Sequence, residues 1–457
     1  MKKLLIIILV SFYALGVLKA DPNEKYLKEY IGIALNKNLA LQSSKEMVNV
    51  YDAKLSEATA NFFPMLNLSG RFTRAGGGRT FVFPLGTMMN PLYEALNMPT
   101  RFTDEEVPFI RTQEQDTKLE LVQPIINLGI YNNYKAQDDQ FESSKYDYKT
   151  KELNTVYSVR EAYYNYAKAL QVVNIRRQSL KLGEESKNIA DKLYAVDKAP
   201  KTDVLRAEVN LANMQQELQV AVNNATLAGN VFNNILNREL DTPINMDSVS
   251  IEEINKPDTK DALDFKMKLD DALNVAVMDR PEIKQMDYGM KSVDHFKDAA
   301  SSEYYPSLSL VADYGIQGIN YVVDKGAAYW MVSGMLSWNL FSGLGTHAKV
   351  QEAKAQYSSM ERSYESLKAL VRLDVKNNYI NLKNNLDRLD VAGKAVNSAN
   401  ENYILNMKRY AEGLNPFINL LDAELSMNLA KENYVMVYYD ILTARASLEK
   451  SIGMNNY

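Results

Sequence analysis

The sequence repeats itself, and this repeat limits what the chain can fold into more than any other feature. Phe62-Phe63-Pro64-Met65-Leu66-Asn67-Leu68-Ser69 returns as Tyr304-Tyr305-Pro306-Ser307-Leu308-Ser309-Leu310. Upstream of each copy runs an apolar-periodic stretch, in which Ala34 falls on Ala276 and Leu39 on Pro281, 242 residues later. Further on, Tyr194-Ala195, Pro200 and Asp203-Val204-Leu205-Arg206-Ala207-Glu208 return as Tyr410-Ala411, Pro416 and Asn419-Leu420-Leu421-Asp422-Ala423-Glu424, 216 residues later. The shorter spacing places an insertion of about 26 residues in the first copy, between these landmarks. Such a period is too long for a solenoid. It predicts two halves of one pseudo-symmetric unit over 21–457. Repeat one covers about 25–237 and repeat two about 269–457, joined by an irregular equatorial linker, 238–268, containing Pro243 and Pro257.

Each aromatic-aromatic-Pro run opens a stretch of alternating character. Near 65–74, Leu66, Leu68 and Phe72 lie on one side, with Asn67, Ser69, Arg71 and Thr73 on the other. Near 307–315, Leu308, Leu310, Ala312 and Tyr314 oppose Ser307, Ser309 and Asp313. A third strand is expected near 113–123, with Leu119 and Leu121 opposite Lys118 and Glu120. A fourth, near 328–338, sets Trp330, Val332, Leu336 and Trp338 against Tyr329, Met331, Ser333 and Ser337. Apolar-out, polar-in alternation over about ten residues is the pattern of an outer-membrane β-strand, although one such strand fits the edge of a soluble sheet equally. Four of them in duplicated pairs favour the membrane. Leu66, Leu68, Leu308, Leu310, Trp330 and Val332 are then expected to face lipid. The first pair is separated by Ala75-Gly76-Gly77-Gly78-Arg79, four prolines and many aromatics, which read as a long surface loop with one helical turn near 92–97.

Helical periodicity fills the rest. It spans 27–61, and it continues after each strand pair for about 65 residues, or roughly 100 Å at 1.5 Å per residue. In the second half Leu367, Val371, Val375, Tyr379, Leu382, Leu386 and Leu389 step by three or four, and Leu153, Val156, Val159, Tyr163, Tyr166 and Leu170 do so in the first. Breaks are expected at 197–201 and 412–416, each with a proline near the first turn of a returning helix, over 202–236 and 417–452.

Met1-Lys2-Lys3 ahead of an apolar run to Leu18 reads as a secretory signal peptide, 1–20, cut after Ala20 or, alternatively, after Gly16. The run is shorter than the roughly 20 residues a membrane span needs. No other stretch resembles a transmembrane helix, so any membrane role falls to β-strands. The chain has no cysteine, which excludes disulfides, thiolate metal sites and a lipid-modified cysteine. A net charge of −5 offers no basic footprint for nucleic acid. The 29 tyrosines suit places where one end of a side chain is dry and the other wet. Four strands cannot enclose a channel, and eight make a barrel filled by its own side chains, so a channel requires three or more copies.

In the order and spacing of these pieces the chain resembles the TolC-like outer membrane efflux protein family. The resemblance covers essentially the whole mature length. It rests on the twofold helix–strand–strand–long helix–short helix plan and the aromatic-aromatic-Pro strand starts. Two segments add to it: Trp338-Asn339-Leu340-Phe341-Ser342-Gly343 ahead of a long helix, and Tyr410-Ala411-Glu412-Gly413 with Asn419-Leu420-Leu421-Asp422-Ala423. It implies a mainly α fold with a β-barrel part: a homotrimer with a 12-stranded outer-membrane barrel, four strands per chain, continued by a long helical periplasmic barrel. It further implies a passive exit duct for efflux or type I secretion, docked to a periplasmic adaptor and an inner-membrane RND or ABC transporter. In the family, acidic residues at the start of the last helix narrow the periplasmic entrance; the matching positions are Asn419 and Asp422, so one carboxylate of the pair is absent. Asn415 stands where some members carry a basic residue. Asp197, Pro200, Asp203, Gly413, Asn415 and Pro416 fall at the periplasmic turns, where adaptor docking is implied. Asp422 and Asp203 also fit ordinary helix-start acids favoured by the helix dipole.

Catalytic chemistry has no foothold in the sequence. The two histidines, His295 and His347, lie in unrelated places and are expected to be exposed. Gly76–78 lacks the lysine and helix of a phosphate loop, and no His-Glu-x-x-His or Gly-x-Ser-x-Gly motif occurs. No cofactor is expected. A periplasmic helical adaptor or structural protein is the competing reading; it accounts for the helices but not for the four strands.

Overall fold

The computed structural model describes residues 25–110, 113–247, 259–319 and 326–454; the expected signal peptide and the 248–258 part of the expected linker lie outside the described residues. Helix α1 (Lys25–Lys37) gives way to α2 (Leu39–Ala60) at Asn38. The periodicity reads one helix there, but the Asn38 side-chain oxygen accepts the Leu41 N–H at 3.1 Å and starts a new one. After Pro64 comes β1 (Met65–Arg74), then β2 (Thr80–Phe83), α3 (Leu85–Ala95), β3 (Glu105–Pro108) and β4 (Gln113–Ile126). The stretch expected to be a loop thus holds a two-stranded β2–β3 ribbon and a helix. Asp104 fixes the start of α3, accepting from the Thr87 N–H (2.9 Å) and hydroxyl (2.7 Å). That contact joins residues 17 apart, which a local pattern does not reveal.

Helix α4 (Leu128–Ala195) runs 68 residues, and α5 (Lys201–Ile235) returns. Short α6 (Thr259–Leu263) precedes α7 (Leu269–Asp279) and α8 (Pro281–Ser301). The α7–α8 break at Arg280 repeats the break at Asn38, and Leu39 and Pro281 are the first residues of equivalent helices. Then follow β5 (Ser307–Gly318), β6 (Ala328–Ser337), the 67-residue α9 (Gly345–Ala411) and α10 (Phe417–Ile452). Gly453, left-handed at φ 84°, ends the last helix.

The chain divides into two compact units. Among the described residues, one comprises 25–50, 142–289 and 361–454, the other 51–141 and 290–360. In the first, Leu27, Tyr30 and Ile31 of α1 pack with Val159 and Tyr163 of α4, Phe232 of α5, Val375 and Leu382 of α9, and Val435 and Ile441 of α10. The described start of the linker is tied to this core. Tyr30 Oη accepts the Asn245 N–H at 2.8 Å, Tyr163 Oη accepts the Asp247 N–H at 2.9 Å, and the Arg238 guanidinium stacks 5.0 Å over the Tyr30 ring. Helices α4 and α10 lie antiparallel, as their polar pairs show: Arg160 with Glu449 (2.5 Å), Lys168 with Asp440 (3.3 Å), Arg176 with Glu432 (2.6 Å) and Ser179 with Asn428 (2.7 Å). Arg160 and Glu449 are nearly removed from water, so losing either partner would strand a buried charge.

The second unit is built on a four-stranded antiparallel sheet in the order β1-β4-β5-β6. Its register aligns Leu68 with Leu119, Leu119 with Tyr314, and Tyr314 with Trp330, which puts these side chains on one face. At the helix end of the sheet, the Phe62 ring meets Tyr134 edge-on at 5.6 Å, and the Trp338 indole N–H donates to the Tyr304 carbonyl at 3.0 Å. His295, expected to be exposed, is half-buried 3.5 Å from Asp139; burial raises the Asp139 pKa and the histidine opposes that rise.

Candidate functional site

Two helical turns of the first unit have one backbone design. After α4, Lys198 N–H reaches the Leu193 carbonyl (2.8 Å) and Asp197 N–H the Tyr194 carbonyl (3.0 Å), with Asp197 at φ 58°. After α9, Leu414 N–H reaches Arg409 (2.8 Å) and Gly413 N–H reaches Tyr410 (2.8 Å), with Gly413 at φ 74°. Both are paired hydrogen bonds over a left-handed residue, the usual stop for a helix. Pro200 and Pro416, both extended, then open α5 and α10. Ala190 and Leu193 of α4, Val204 and Ala207 of α5, Tyr403 and Tyr410 of α9, and Phe417 and Leu420 of α10 share one core beneath the turns.

The polar residues at the two turns behave differently. Asp203 is buried, its pKa raised by desolvation with Arg206 opposing. Its charge, after burial itself, helps push the Tyr410 hydroxyl up to about 12. Asn419 and Asp422 are exposed on the first turns of α10. A relay of amides braces the second turn: Asn419 Nδ2 donates to Asn415 Oδ1 (2.7 Å), Asn415 Nδ2 to Asn406 Oδ1 (2.6 Å), and Asn406 Nδ2 to both Asn402 oxygens (2.9 Å). Sequence reasoning named Asn415 and Asn419 but missed Asn402 and Asn406; the four-residue spacing within each pair was the available signal. It also missed Glu424, which is buried on α10 and whose pKa is pushed up to about 7 by desolvation.

In the second unit the sheet has two unlike faces. Leu66, Leu68, Leu310, Trp330 and Val332 share one face and are exposed, Leu68 at 74% and Trp330 at 76%, while Leu308 on the same face is half-buried. The opposite face is polar and cross-linked. Lys118 bridges Glu120 (2.6 Å) and Asp313 (3.0 Å), the Tyr329 hydroxyl donates to Asp116 (3.2 Å), and Gln317 donates to Glu114 (3.2 Å). Among the described residues no group of three or more acidic or histidine side chains is placed to hold a metal ion, and no helix is long and apolar enough to cross a membrane.

A sheet with one bare apolar face, together with long helices that double back through matched turns, defines the class of TolC-like outer membrane channels. CusC, whose crystal structures concern transmembrane channel formation, has this fold: the TM-score is 0.79 at 15% identity, over 94% of this chain and 92% of CusC. The family model described as outer membrane efflux protein matches residues 30–237 and 272–454, and the chain belongs to that family. It is similar to TtgC of Pseudomonas putida, a probable efflux pump outer membrane protein, at 21% identity over 339 residues. That match spans 71% of this chain and 66% of TtgC, just under two thirds of the relative's length. Outer membrane protein TolC of Salmonella enteritidis is 20% identical over 100% of this chain and 87% of its own. Family and fold are those of outer-membrane channel proteins rather than enzymes, and the adaptor reading is set aside.

Proposed function

We propose that this chain is one third of an outer-membrane exit duct that passively conducts substrates delivered from the periplasm or from a pump. Three copies of the four-stranded sheet would close a 12-stranded barrel through their β1 and β6 edges, which the single chain leaves unpaired. The long helices α4 and α9 would continue it as a periplasmic tunnel. The observation that carries this reading is the two-faced sheet: a cross-linked polar side suits a wet lumen, and a bare apolar side suits lipid. Leu66, Leu68, Leu308, Leu310, Trp330 and Val332 would then meet the bilayer. Phe63, Tyr305, Trp338 and Phe341, all exposed where strands meet helices, would form an aromatic girdle at its periplasmic surface.

The turns would lie at the periplasmic end. Asp197, Pro200, Gly413, Asn415 and Pro416 would offer a docking rim to an adaptor protein, with the buried Asp203 beneath it rather than on it, and an inner-membrane RND or ABC transporter would supply the energy. The exposed Asp422 would form a ring of three carboxylates at the entrance, with Asn419 adding uncharged narrowing one turn earlier. Lysine substitution tests the sheet. Leu68→Lys or Val332→Lys should disfavour membrane assembly by about 2–4 kcal/mol if the site is near mid-bilayer, whereas Asn67→Lys and Ser333→Lys should assemble nearly as the parent does. Equal losses on both faces, read as the fraction of heat-resistant assembled protein in outer membranes, would overturn the proposal.

A further inference from the structure

One buried carboxylate lacks the cation that its neighbours have. The polar contacts between α4 and α10 run in register from Arg160–Glu449 through Arg176–Glu432 to Ser179–Asn428. The next buried acid towards the turn is Glu424, 1% exposed. The same register sets it opposite the 183–186 stretch of α4, whose inward residues Gly183 and Ser186 carry no charge. Met214 of α5 fills the space beside Gly183, where a Cβ would lie 2.5 Å from its sulfur. From α5, Asn210 Nδ2 reaches Glu424 Oε2 at a long 3.4 Å, and Oε1 has no partner. From α9, Tyr403 faces it; the buried Tyr403 and Ser186 hydroxyls interact with each other, and neither brings a charge to Glu424.

The charges nearby do not help Glu424 ionise. Glu185 of α4 acts on Tyr403 with the same sign as Glu424 does. Lys187 of α4 is engaged by Asp191 at 2.8 Å and Glu208 at 3.8 Å. Glu208 is the repeat-one counterpart of Glu424, yet its side chain is half exposed. Burial lifts the Glu424 pKa to about 7, with Asn210 as the one opposing influence. A buried carboxyl with one unpartnered oxygen, a single long hydrogen bond and no cation beside it makes a contact that is complete only while a proton is present.

We propose that Glu424 is a proton-operated latch: protonated, it lets α10 seat against α4 and α5; ionised, it draws water into the contact and loosens the packing of Leu420, Ala423 and Met427. The latch stands on this contact alone. Its consequence, an entrance that is tightest at mildly acid pH, rests on placing the entrance at these turns. The sign follows from a folded-state pKa above the ordinary 4.5. The stabilisation is whole below the ordinary value and is lost as pH rises through about 7.

Hydrogen–deuterium exchange on the full-length protein in detergent, corrected for intrinsic exchange, reads the latch at 418–430 and 182–193. Protection in the parent should fall about tenfold or more between about pH 5.5 and about pH 7.5. Glu424→Gln, neutral at every pH, should lose that dependence. Asn210→Arg, which supplies the missing cation, should flatten it by stabilising the ionised form. The infrared band of a protonated carboxylic acid should be present at mildly acid pH in the parent and reduced in both variants. Flat protection in the parent, or unchanged pH dependence in Glu424→Gln, would overturn the latch. If exchange follows the expected pattern while single-channel conductance ignores pH, the latch holds and the entrance is elsewhere.

Discussion

The two helical turns share a backbone and differ in the polar residues attached to it. Asp197 stands where Gly413 stands, each left-handed and each closing the same pair of hydrogen bonds. Pro200 and Pro416 open the following helices in the same extended conformation. Beyond that point repeat one turns its acid inwards, Asp203 into the core beside Tyr410, while repeat two keeps Asn419 and Asp422 exposed. Repeat two also braces its turn with the four-asparagine relay. The duplication therefore preserves geometry while the chemistry diverges. One turn buries the acid that follows its proline, and the other keeps the equivalent asparagine and a nearby acid exposed.

The contrast between paired and unpaired carboxylates on α10 gives the largest expected effect. Arg176→Met would turn Glu432 into a second Glu424 and should cost about 3 kcal/mol or more at neutral pH. Burial already raises the Glu432 pKa against the pull of Arg176, so acidification should protonate it and shrink the loss. Thermal unfolding in detergent at two pH values checks this; a pH-independent loss would mean that packing, not charge, is responsible. A smaller change is expected at the relay: Asn406→Ala should cost about 1 kcal/mol and loosen amides at the second turn but not the first. Gly413→Ala should cost a similar amount, because a Cβ in the left-handed region is strained, whereas Asp197→Gly should shift stability by a few tenths of a kcal/mol in either direction. Equal responses at both turns would erase the distinction between them.

Much of this was legible in the sequence. The strand faces followed from strict alternation, because a period of two leaves only one way to sort Leu66 and Leu68 from Asn67 and Ser69. The turns followed from Pro200 and Pro416 breaking long apolar periodicities. What escaped was set by tertiary contact. Asp104 caps α3 from across the insertion, so a segment rich in Gly and Pro reads as loop although it holds a helix. Asp203 and Asn419 align in the duplication, yet only the packed helices show that one is buried and the other exposed. Glu424 looks like any solvated helix acid until the packed helices leave it facing Ser186 of α4 and Asn210 of α5 instead of an arginine.

Planar-bilayer recording of the purified assembly, comparing Asp422→Asn with Asp203→Asn, tests the placement of the entrance most directly. If three exposed Asp422 carboxylates ring the periplasmic entrance, the parent should prefer cations and be blocked by multivalent cations. Asp422→Asn should weaken both properties while leaving assembly intact. Asp203→Asn should leave both in place, since that carboxyl is buried within the chain. Conductance, selectivity and block that are unchanged by Asp422→Asn would show that Asp422 only starts a helix and that the narrowest point of the duct lies elsewhere.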